Sequence, residues 1–225
     1  MRISVIIPVF NEAKTIAQTL QAVARLGPHE IIVVDGGSTD DTAARARQTG
    51  VTVISSPRGR ARQMNHGAKL ASGDVLLFLH SDTYLPSSAL TEIAAAMTHP
   101  HCPGGRFDLR LDREERIYRI IGALISLRSR LTKVATGDQA IFVRREIFES
   151  MRGFPDIPLM EDIAFSRLLK RQGKVACLRS RVVTSARRWE KEGVWQTILK
   201  MWVLKLLYFT GVSPVRLKHF YDDTR

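Results

Sequence analysis

The sequence has few cysteines and no long apolar run, and each shortage argues against a class of protein. Only Cys102 and Cys177 occur among the 225 residues, so neither a disulfide framework nor a cysteine metal site is indicated. No stretch of about 18 apolar residues is present, which argues against a transmembrane helix. The apolar run after Met1 is interrupted at Pro8, too early for a secretory signal. These features predict a cytoplasmic protein.

Two common nucleotide-binding motifs are also missing. No G-x-G-x-x-G and no glycine-rich loop ending in G-K-S/T is found, so neither a dinucleotide fingerprint nor a P-loop is present. Aromatic residues make up only 7% and do not interleave with the basic ones, which argues against nucleic-acid binding. The net charge of +12 instead favours a phosphorylated small molecule or an anionic membrane surface as a partner.

Roughly the first 90 residues alternate predicted strands with predicted helices. Apolar, β-branched runs predict the strands, at residues 3–9, 30–35, 52–56 and 74–82. This order predicts a parallel sheet with right-handed crossovers, the α/β arrangement of a nucleotide-binding half. The remainder is less regular, and helices are expected there at residues 113–133, 161–173 and 194–208.

Polar side chains gather at the ends of these strands, where open parallel sheets bind ligands. Asn11 and Glu12 follow the first strand, Asp35 ends the second and Asp82 ends the fourth. A basic loop at residues 57–65 follows the third strand, and its guanidinium groups can pair with phosphate. The convergence predicts a binding edge, although Asp35 by itself could equally cap the next helix.

Asp82 is the candidate metal ligand. Mg²⁺ in proteins takes one or two carboxylates and completes its shell with water and substrate phosphates. His80 lies on the same strand face two residues earlier, and its imidazole could join a site for Mn²⁺. The favoured alternative is a histidine that orients Asp82 or contacts phosphate.

Glu161 and Asp162 lie in an apolar stretch, "PLMEDIAF", before a predicted helix. Carboxylates among apolar neighbours lose hydration, which raises their pKa and suits general base catalysis. The alternative is a pair of acidic residues at a helix N-terminus, and these two residues alone favour that alternative.

Five segments together resemble family 2 glycosyltransferases, which share the GT-A fold, a mostly parallel α/β sheet that binds a nucleoside-diphosphate sugar. These segments are "SVIIPVFNE", "IIVVDGGSTDDT", "NHGAKLASGDVLLFLHSDT", "GDQAIFVRREIFESMRGFPDIPLMED" and "RRW", in family order between about residues 3 and 193. "LHSD" with "SARRW" is similar to a bacterial subgroup with poorly defined acceptors. The resemblance implies a UDP- or GDP-linked donor, an unknown acceptor and a divalent cation, Mg²⁺ or Mn²⁺.

The resemblance implies a role for each matching residue. Pro8, Asn11 and Glu12 would border the nucleotide, Asp35 would accept a hydrogen bond from the base, and Arg60 would contact the diphosphate. The remaining residues of the implied donor site are Asn65, Asp82, Arg188 and Trp189.

Asp82 matches the last aspartate of the family's D-x-D element, which holds the metal, and Asp162 matches the general base, with Glu161 beside it. His80 replaces the first aspartate of D-x-D, so metal affinity is expected to be lower or to shift towards Mn²⁺. Arg187, Arg188 and Trp189 resemble the Q-x-x-R-W region without its glutamine, which argues against a processive polymer synthase.

The implied reaction is a single displacement with inversion at the anomeric carbon. A nucleotidyltransferase is disfavoured because "VFNEAKT" follows the first strand, where such enzymes usually carry a glycine-rich activating loop. A sugar-nucleotide sensor without turnover is the other alternative, suggested by His80.

Residues 1–193 are predicted to form the glycosyltransferase domain, and residues 194–225 an amphipathic helix and tail. The stretch "VWQTILKMWVLKLLYF" is apolar around most of the helix and carries Trp195 and Trp202. This composition slightly favours packing on its own domain or in a homodimer over peripheral contact with the inner face of the cell membrane. A lipid-linked acceptor is compatible with the second of these alternatives.

Overall fold

The protein, in a computed structural model, is described over residues 1–221 and has a single eight-stranded sheet. The strands are β1 (Ile3–Val9), β2 (Glu30–Asp35), β3 (Thr52–Ser55), β4 (Val75–Phe78), β5 (Thr83–Tyr84), β6 (Gly104–Leu111), β7 (Phe142–Arg144) and β8 (Ala176–Thr184). The helices are α1 (Ile16–Ala24), α2 (Thr42–Gln48), α3 (Arg60–Leu70), α4 (Ala89–Met97), α5 (Arg116–Thr132), α6 (Arg145–Ser150), α7 (Glu161–Leu169), α8 (Arg187–Glu192), α9 (Val194–Phe209) and α10 (Pro214–Lys218), with a 3₁₀ helix at Gly137–Gln139.

The strand order is β3-β2-β1-β4-β7-β6-β8-β5. The first four strands pair in parallel, which confirms the α/β half predicted from the alternation of strands and helices. Beyond β4 the sheet is mixed, because β7 is antiparallel to both β4 and β6, whereas β6 and β8 are parallel. The predicted mostly parallel sheet is therefore confirmed, with an antiparallel insertion in its second half.

Alternate residues of β1 supply opposite faces of the sheet, so the core has two layers. Val5 and Ile7 pack with residues of α1 and α4 in one cluster, whereas Ile6 packs with residues of α3 and α7 in the other. Helix α3 lies especially close to the sheet: a Cβ on its Gly67 would stand only 2.6 Å from a methyl carbon of Ile6. This close contact fixes the N-terminus of α3 beside the ends of β1 and β2.

The two-residue strand β5 connects the end of β4 to the far half of the sheet. Thr83 pairs with Thr184 and Tyr84 with Val183, and the two threonine hydroxyls are hydrogen-bonded at 3.0 Å. Because β5 follows Asp82 directly, the end of β4 is held next to the segment that leads from β8 into α8.

The C-terminal helix predicted from residue 194 is present as α9, and α10 follows it. Leu204 of α9 and Leu217 of α10 pack with Met160 and Ile163 at the start of α7. The packing joins the C-terminal segment to the predicted first domain, and the boundary at residue 193 stays a prediction. The end of the predicted tail, residues 222–225, lies outside the described residues.

None of the helices within residues 1–221 is long and apolar enough to span a bilayer.

Candidate functional site

The ends of β1 and β2 are tied together by a buried glutamine that sequence reasoning did not assign to the site. Gln63 of α3 donates 2.8 Å hydrogen bonds to the carbonyl oxygens of Val9 and Val34. The carbonyl of Val9 also accepts the N–H of Gly36 at 2.9 Å, so the end of β1, the residue after β2 and the side chain of Gln63 are joined at one point. Gln63 therefore fixes the spacing of the two strand ends on which Asn11 and Asp35 are mounted.

Asn11 and Asp35 form a brace with the loop after β2. The hydroxyl of Ser38 donates to Oδ1 of Asp35 at 2.5 Å and accepts the N–H of Asn11 at 2.9 Å. Asn11 adopts a φ of 54°, and its Oδ1 accepts the N–H of Thr39 at 2.9 Å. The carboxylate of Asp35 is thus buried and oriented by its own loop, as a fixed hydrogen-bond acceptor at the sheet edge.

Arg187, at the start of α8, joins two of the predicted strand-end residues. Its Nη2 lies 3.2 Å from Oε1 of Glu12 and 3.4 Å from Oδ2 of Asp82. Glu12 is buried, and its carboxylate is held in place because Oε2 accepts the hydroxyl of Thr15 at 3.1 Å. The structure therefore brings Glu12 and Asp82 together through an arginine that is remote in sequence.

Asp82 has the features of a carboxylate that holds a hard cation together with a diphosphate. Its side chain is 26% exposed and follows the end of β4. Within the described part of the chain, no group of three or more His, Cys, Asp or Glu residues is placed to hold a metal ion. The residues therefore fit a Mg²⁺ or Mn²⁺ ion that takes most of its ligands from phosphate and water, and they do not form a closed protein cage.

His80 lies against the 3₁₀ helix, next to the candidate base. A Cβ atom built on Gly137 would stand 2.6 Å from Nε2 of His80 and 3.8 Å from Oδ2 of Asp162. The N–H of Gly137 donates to Oδ2 of Asp162 at 2.8 Å, and the N–H of Ile163 donates to Oδ1 at 2.7 Å. The absence of a side chain at residue 137 thus allows the imidazole and the carboxylate to share one site.

Glu161, beside Asp162, faces a different direction. It is buried, and Oε1 lies 2.8 Å from Nε of Arg60 at the start of α3. Burial raises the pKa of Glu161, while the Arg60 guanidinium opposes that rise. Arg60, which the resemblance placed on the diphosphate, also connects α3 to the start of α7 through this ion pair.

The remaining predicted donor residues have contacts within the protein. Both amide atoms of Asn65 bond the backbone of Phe154 at 2.8 Å, and Pro8 is a buried residue of β1. The Arg188 guanidinium lies 4.3 Å from the ring centroid of Tyr221, and Trp189 packs in a small apolar cluster beside α5. Of the three "RRW" residues, Arg187 is the one that reaches Asp82. The roles of Pro8, Asn65, Arg188 and Trp189 stay predictions.

Three further charged residues surround Asp162 and had no predicted role in the site. Burial is the main cause that lowers the pKa of Lys205 in α9 to about 8; nearby Arg128 in α5 contributes to the decrease, whereas Asp162 and Asp138 oppose it. Burial also raises the pKa of Asp138 in the 3₁₀ helix. Among the described residues, Nε and Nη2 of Arg128 and Oδ1 of Asp138 are buried without a hydrogen-bond partner. No sequence pattern links these residues, because they come from three separate segments.

Comparison with known proteins identifies the family. Residues 4–152 match the model described as glycosyl transferase family 2. This match covers more than half of the chain, so the protein belongs to glycosyl transferase family 2, as the resemblance predicted.

Two curated relatives come from Mycobacterium tuberculosis. A PGL/p-HBAD biosynthesis glycosyltransferase is 34% identical over 154 residues, which is 64% of this chain and 60% of the relative. Glucosyl-3-phosphoglycerate synthase is 33% identical over 96 residues, 37% of this chain and 30% of the relative. The chain therefore matches less than two thirds of the length of these relatives.

Two solved structures share the fold. Glucosyl-3-phosphoglycerate synthase from M. tuberculosis, in complex with Mn²⁺, UDP-glucose and phosphoglyceric acid, has a TM-score of 0.65 and 23% identity, over 94% of this chain and 80% of that one. Residues 1–349 of S. aureus TarS, in complex with UDP-GlcNAc, give a TM-score of 0.64 and 20% identity, over 82% and 58%. These similarities and the family match confirm the predicted GT-A fold.

Proposed function

We propose that the protein transfers a sugar from a UDP-linked donor to an acceptor hydroxyl, with inversion at the anomeric carbon. The observation that carries the proposal is the position of two carboxylates around His80. Asp82 follows His80 on the same strand end, and Asp162 lies beside the imidazole across Gly137. A carboxylate for the donor's cation and a carboxylate for the acceptor's proton thus occupy one site. UDP is favoured over GDP because both structural neighbours described above bind UDP-sugars.

The donor half of the proposed site is the edge formed by β1, β2 and β4. Asp35 accepts a hydrogen bond from the base, and Asn11 and Glu12 border the nucleotide. Arg187 and Arg60 are placed to offset diphosphate charge, because guanidinium groups pair well with phosphate oxygens. A divalent cation bound at Asp82 would stabilise the negative charge that develops on the leaving diphosphate.

The acceptor half centres on Asp162. Two backbone N–H groups orient this carboxylate, so its position does not depend on the substrate. Asp162 takes the proton of the acceptor hydroxyl while the oxygen forms a bond to the anomeric carbon. The bond between that carbon and the diphosphate breaks in the same step, and its electron pair leaves with the diphosphate. One displacement of this kind inverts the anomeric configuration.

The proposal is tested by calorimetric titration of UDP and GDP with Mn²⁺, Mg²⁺ or EDTA. We expect UDP binding that requires the cation and is lost in Asp82→Asn. Asp74→Asn is the matched control, because Asp74 bonds Arg2 at the opposite edge of the sheet. Proton NMR gives the anomeric configuration of the sugar when it is first released from the bound donor, and so distinguishes inversion from retention. Absence of nucleotide binding under every condition would refute the proposal, and retention at the anomeric carbon would refute the displacement step.

We also propose that α5 and α9 hold the protein on an anionic membrane surface, where a lipid-linked acceptor would be available. Each helix has an exposed stripe of apolar residues spaced three or four positions apart, which places them on one helix face. The α5 stripe is Ile120, Leu124, Leu127 and Leu131, and the α9 stripe is Trp195, Leu199, Trp202, Leu206 and Phe209. Leu131 and Trp195 are each 75% exposed. Packing on the protein's own core therefore covers little of these two apolar stripes.

Charge and residue type favour a membrane over a second copy of the chain as the partner of the stripes. The chain carries a net charge of +12, and exposed Arg116 and Arg119 lie on α5 with its stripe. Two copies would bring these positive charges together, whereas anionic lipid headgroups would offset them. Trp195 and Trp202 also have the amphipathic rings that are enriched at membrane interfaces.

Co-sedimentation with vesicles tests the membrane proposal. We expect binding to phosphatidylglycerol-containing vesicles at low salt and weaker binding at high salt. Trp202→Glu with Leu206→Glu should abolish it, whereas Leu70→Glu, at an exposed position on α3, should not. Failure of the wild type to bind at either salt concentration, together with a dimer in light scattering, would favour the homodimer.

A further inference from the structure

We infer that Arg128 and Lys205 form a binding site for a phosphate group of the acceptor, next to Asp162. The inference rests on the proposed function, because it assigns a chemical class to the substrate whose proton Asp162 accepts. The acceptor is then a phosphate ester with a free hydroxyl, either a soluble molecule or a membrane lipid.

Packing brings α9 against the start of α7, because Leu204, next to Lys205, packs with Met160 and Ile163 on either side of Glu161 and Asp162. Arg128 comes from the last half of α5 and Lys205 from α9, and both interact electrostatically with Asp138 and Asp162. Arg60 and Arg187 belong to the proposed donor half of the site. Arg60 pairs with Glu161, and Arg187 pairs with Glu12 and Asp82. The protein therefore has separate cationic groups for a diphosphate and for a second anion.

Hydrogen bonds within the protein do not account for the position of the Arg128 guanidinium beside Lys205. Arg106, the buried arginine of β6, is joined directly to Asp108, and only its Nε lacks a hydrogen-bond partner among the described residues. In contrast, Nε and Nη2 of Arg128 are buried and have no hydrogen-bond partner within residues 1–221. Nε and one Nη of a guanidinium form the planar fork that binds two oxygens of one phosphate.

The two nearby carboxylates differ in their hydrogen bonds. Both oxygens of Asp162 accept backbone N–H groups, and Oδ1 of Asp138 is without a hydrogen-bond partner among the described residues. Asp138 and Asp162 offset part of the repulsion between Arg128 and Lys205, but Arg128 still lowers the pKa of Lys205, and the fork of Arg128 has no hydrogen-bond partner among the described residues. A bound phosphate would relieve that repulsion and occupy the fork of Arg128.

The position of Lys205 leaves the source of the phosphate open to experiment. Trp202, Leu206 and Phe209 of the exposed α9 stripe lie three, one and four positions away from it on the helix. A lipid phosphate at a membrane surface and a phosphate ester from solution would therefore meet the same two cations.

The test measures phosphate binding separately from donor binding. The enzyme is first saturated with UDP and Mn²⁺, so that the diphosphate site is filled, and is then titrated with glycerol 3-phosphate or, as the uncharged control, glycerol. A parallel arm compares vesicles that contain phosphatidic acid with vesicles of phosphatidylcholine alone. Binding of glycerol 3-phosphate indicates a soluble source, and selective binding of phosphatidic acid indicates a lipid.

Lys205→Met is the primary variant, because burial already disfavours the charge of Lys205 and a methionine fits an apolar helix. We expect it and Arg128→Met to weaken phosphate binding by about tenfold or more, as loss of a charge-assisted hydrogen bond does. Lys205→Arg keeps the charge and should retain binding, as should Arg119→Met on the exposed side of α5. Melting temperature and UDP affinity, measured on every variant, report folding and the donor site.

Unchanged phosphate affinity in Lys205→Met and Arg128→Met would overturn the inference, and so would a wild-type protein that binds neither phosphate probe. If UDP still binds in either case, the inference fails but the proposed glycosyl transfer does not. Failure of the wild type to bind UDP would instead refute the proposed function itself.

Discussion

Nη2 of Arg187 lies 3.4 Å from Oδ2 of Asp82, although the two residues are 105 positions apart in the chain. A divalent cation at Asp82 would have this guanidinium as a neighbour of the same charge. Arg187 therefore contacts both Glu12 and Asp82, and it would compete with a cation for the carboxylate of Asp82.

Replacement of Arg187 by glutamine should raise the affinity of the protein for Mn²⁺ in the absence of nucleotide. Arg187 is 42% exposed, so solvent screening limits the gain to about two- to fivefold. Electron paramagnetic resonance of free Mn²⁺ gives the affinity, and Arg179→Gln on the surface of β8 is the control. An unchanged or weaker affinity would show that Asp82 is not the metal ligand.

Asp162→Asn should lower the turnover number by about 10²- to 10⁴-fold, the range for loss of a general base. The affinity for UDP should stay within about twofold, because asparagine can still accept the N–H of Gly137 through its amide oxygen. Steady-state kinetics and calorimetry separate the two effects. Undiminished turnover in Asp162→Asn would refute the assignment of Asp162 as the general base. That conclusion would not depend on how Asp82→Asn affects nucleotide binding.

Gly137→Ala should lower activity because the new methyl group would collide with the imidazole of His80. His80→Ala removes the ring and makes room for that methyl group. In a double-mutant cycle the two changes should therefore be non-additive, with a coupling of about 0.5–3 kcal/mol in transition-state free energy. Additive effects on kcat/KM would mean that His80 and Gly137 act independently.

Arg60→Met should destabilise the fold by about 3–5 kcal/mol at pH 7, because it leaves Glu161 buried without its partner. Burial raises the pKa of Glu161, so lowering the pH protonates the orphaned carboxyl and should recover part of the loss. Arg62→Met is the control from the same helix: its ion pair with Asp156 is exposed and contributes at most about 1 kcal/mol. Urea denaturation at pH 5 and pH 7 measures both variants.

The affinity for sulfate, used as a phosphate mimic whose charge is constant, should fall as the pH rises through about 8, the pKa of Lys205. Below this pH the amine is protonated and attracts the anion; above it the charge is lost, while Arg128 keeps its own. Binding of the anion raises the pKa, so the midpoint in the complex should lie higher. Lys205→Arg should remove the dependence, and a wild-type affinity that is constant from pH 7 to 9 would contradict the role of Lys205.

The parallel half of the sheet and its polar strand ends were predictable because they rest on local signals. β-branched runs mark β1, β2 and β4, and a carboxylate or an asparagine follows each of them. The mixed half was not predictable in the same way, since the pairing of β6 with β7 and β8 joins segments that are distant in sequence.

Arg128 and Lys205 were missed because they reach the site from remote segments, whereas Gln63 lies within the basic segment 57–65 and was given no role of its own. Gln63, Arg128 and Lys205 lie in helices whose sequence patterns indicate only which face is apolar. The sequence of α9 has the same limit. Helical periodicity predicts that one face of the helix is apolar, but it does not distinguish burial in a protein core from burial in a membrane.

The pairing of β5 with β8 has a consequence for the order of synthesis. β5 follows Asp82 and β8 precedes Arg187, so their pairing holds a residue from the first half of the chain beside one from the last fifth. A ribosome must extend the chain at least as far as Arg187 before Glu12 and Asp82 can meet this arginine. Contacts this distant in sequence are slow to form. A nascent chain with a complete parallel half would therefore still lack the cluster of Glu12, Asp82 and Arg187, and the candidate site would be completed only late in synthesis.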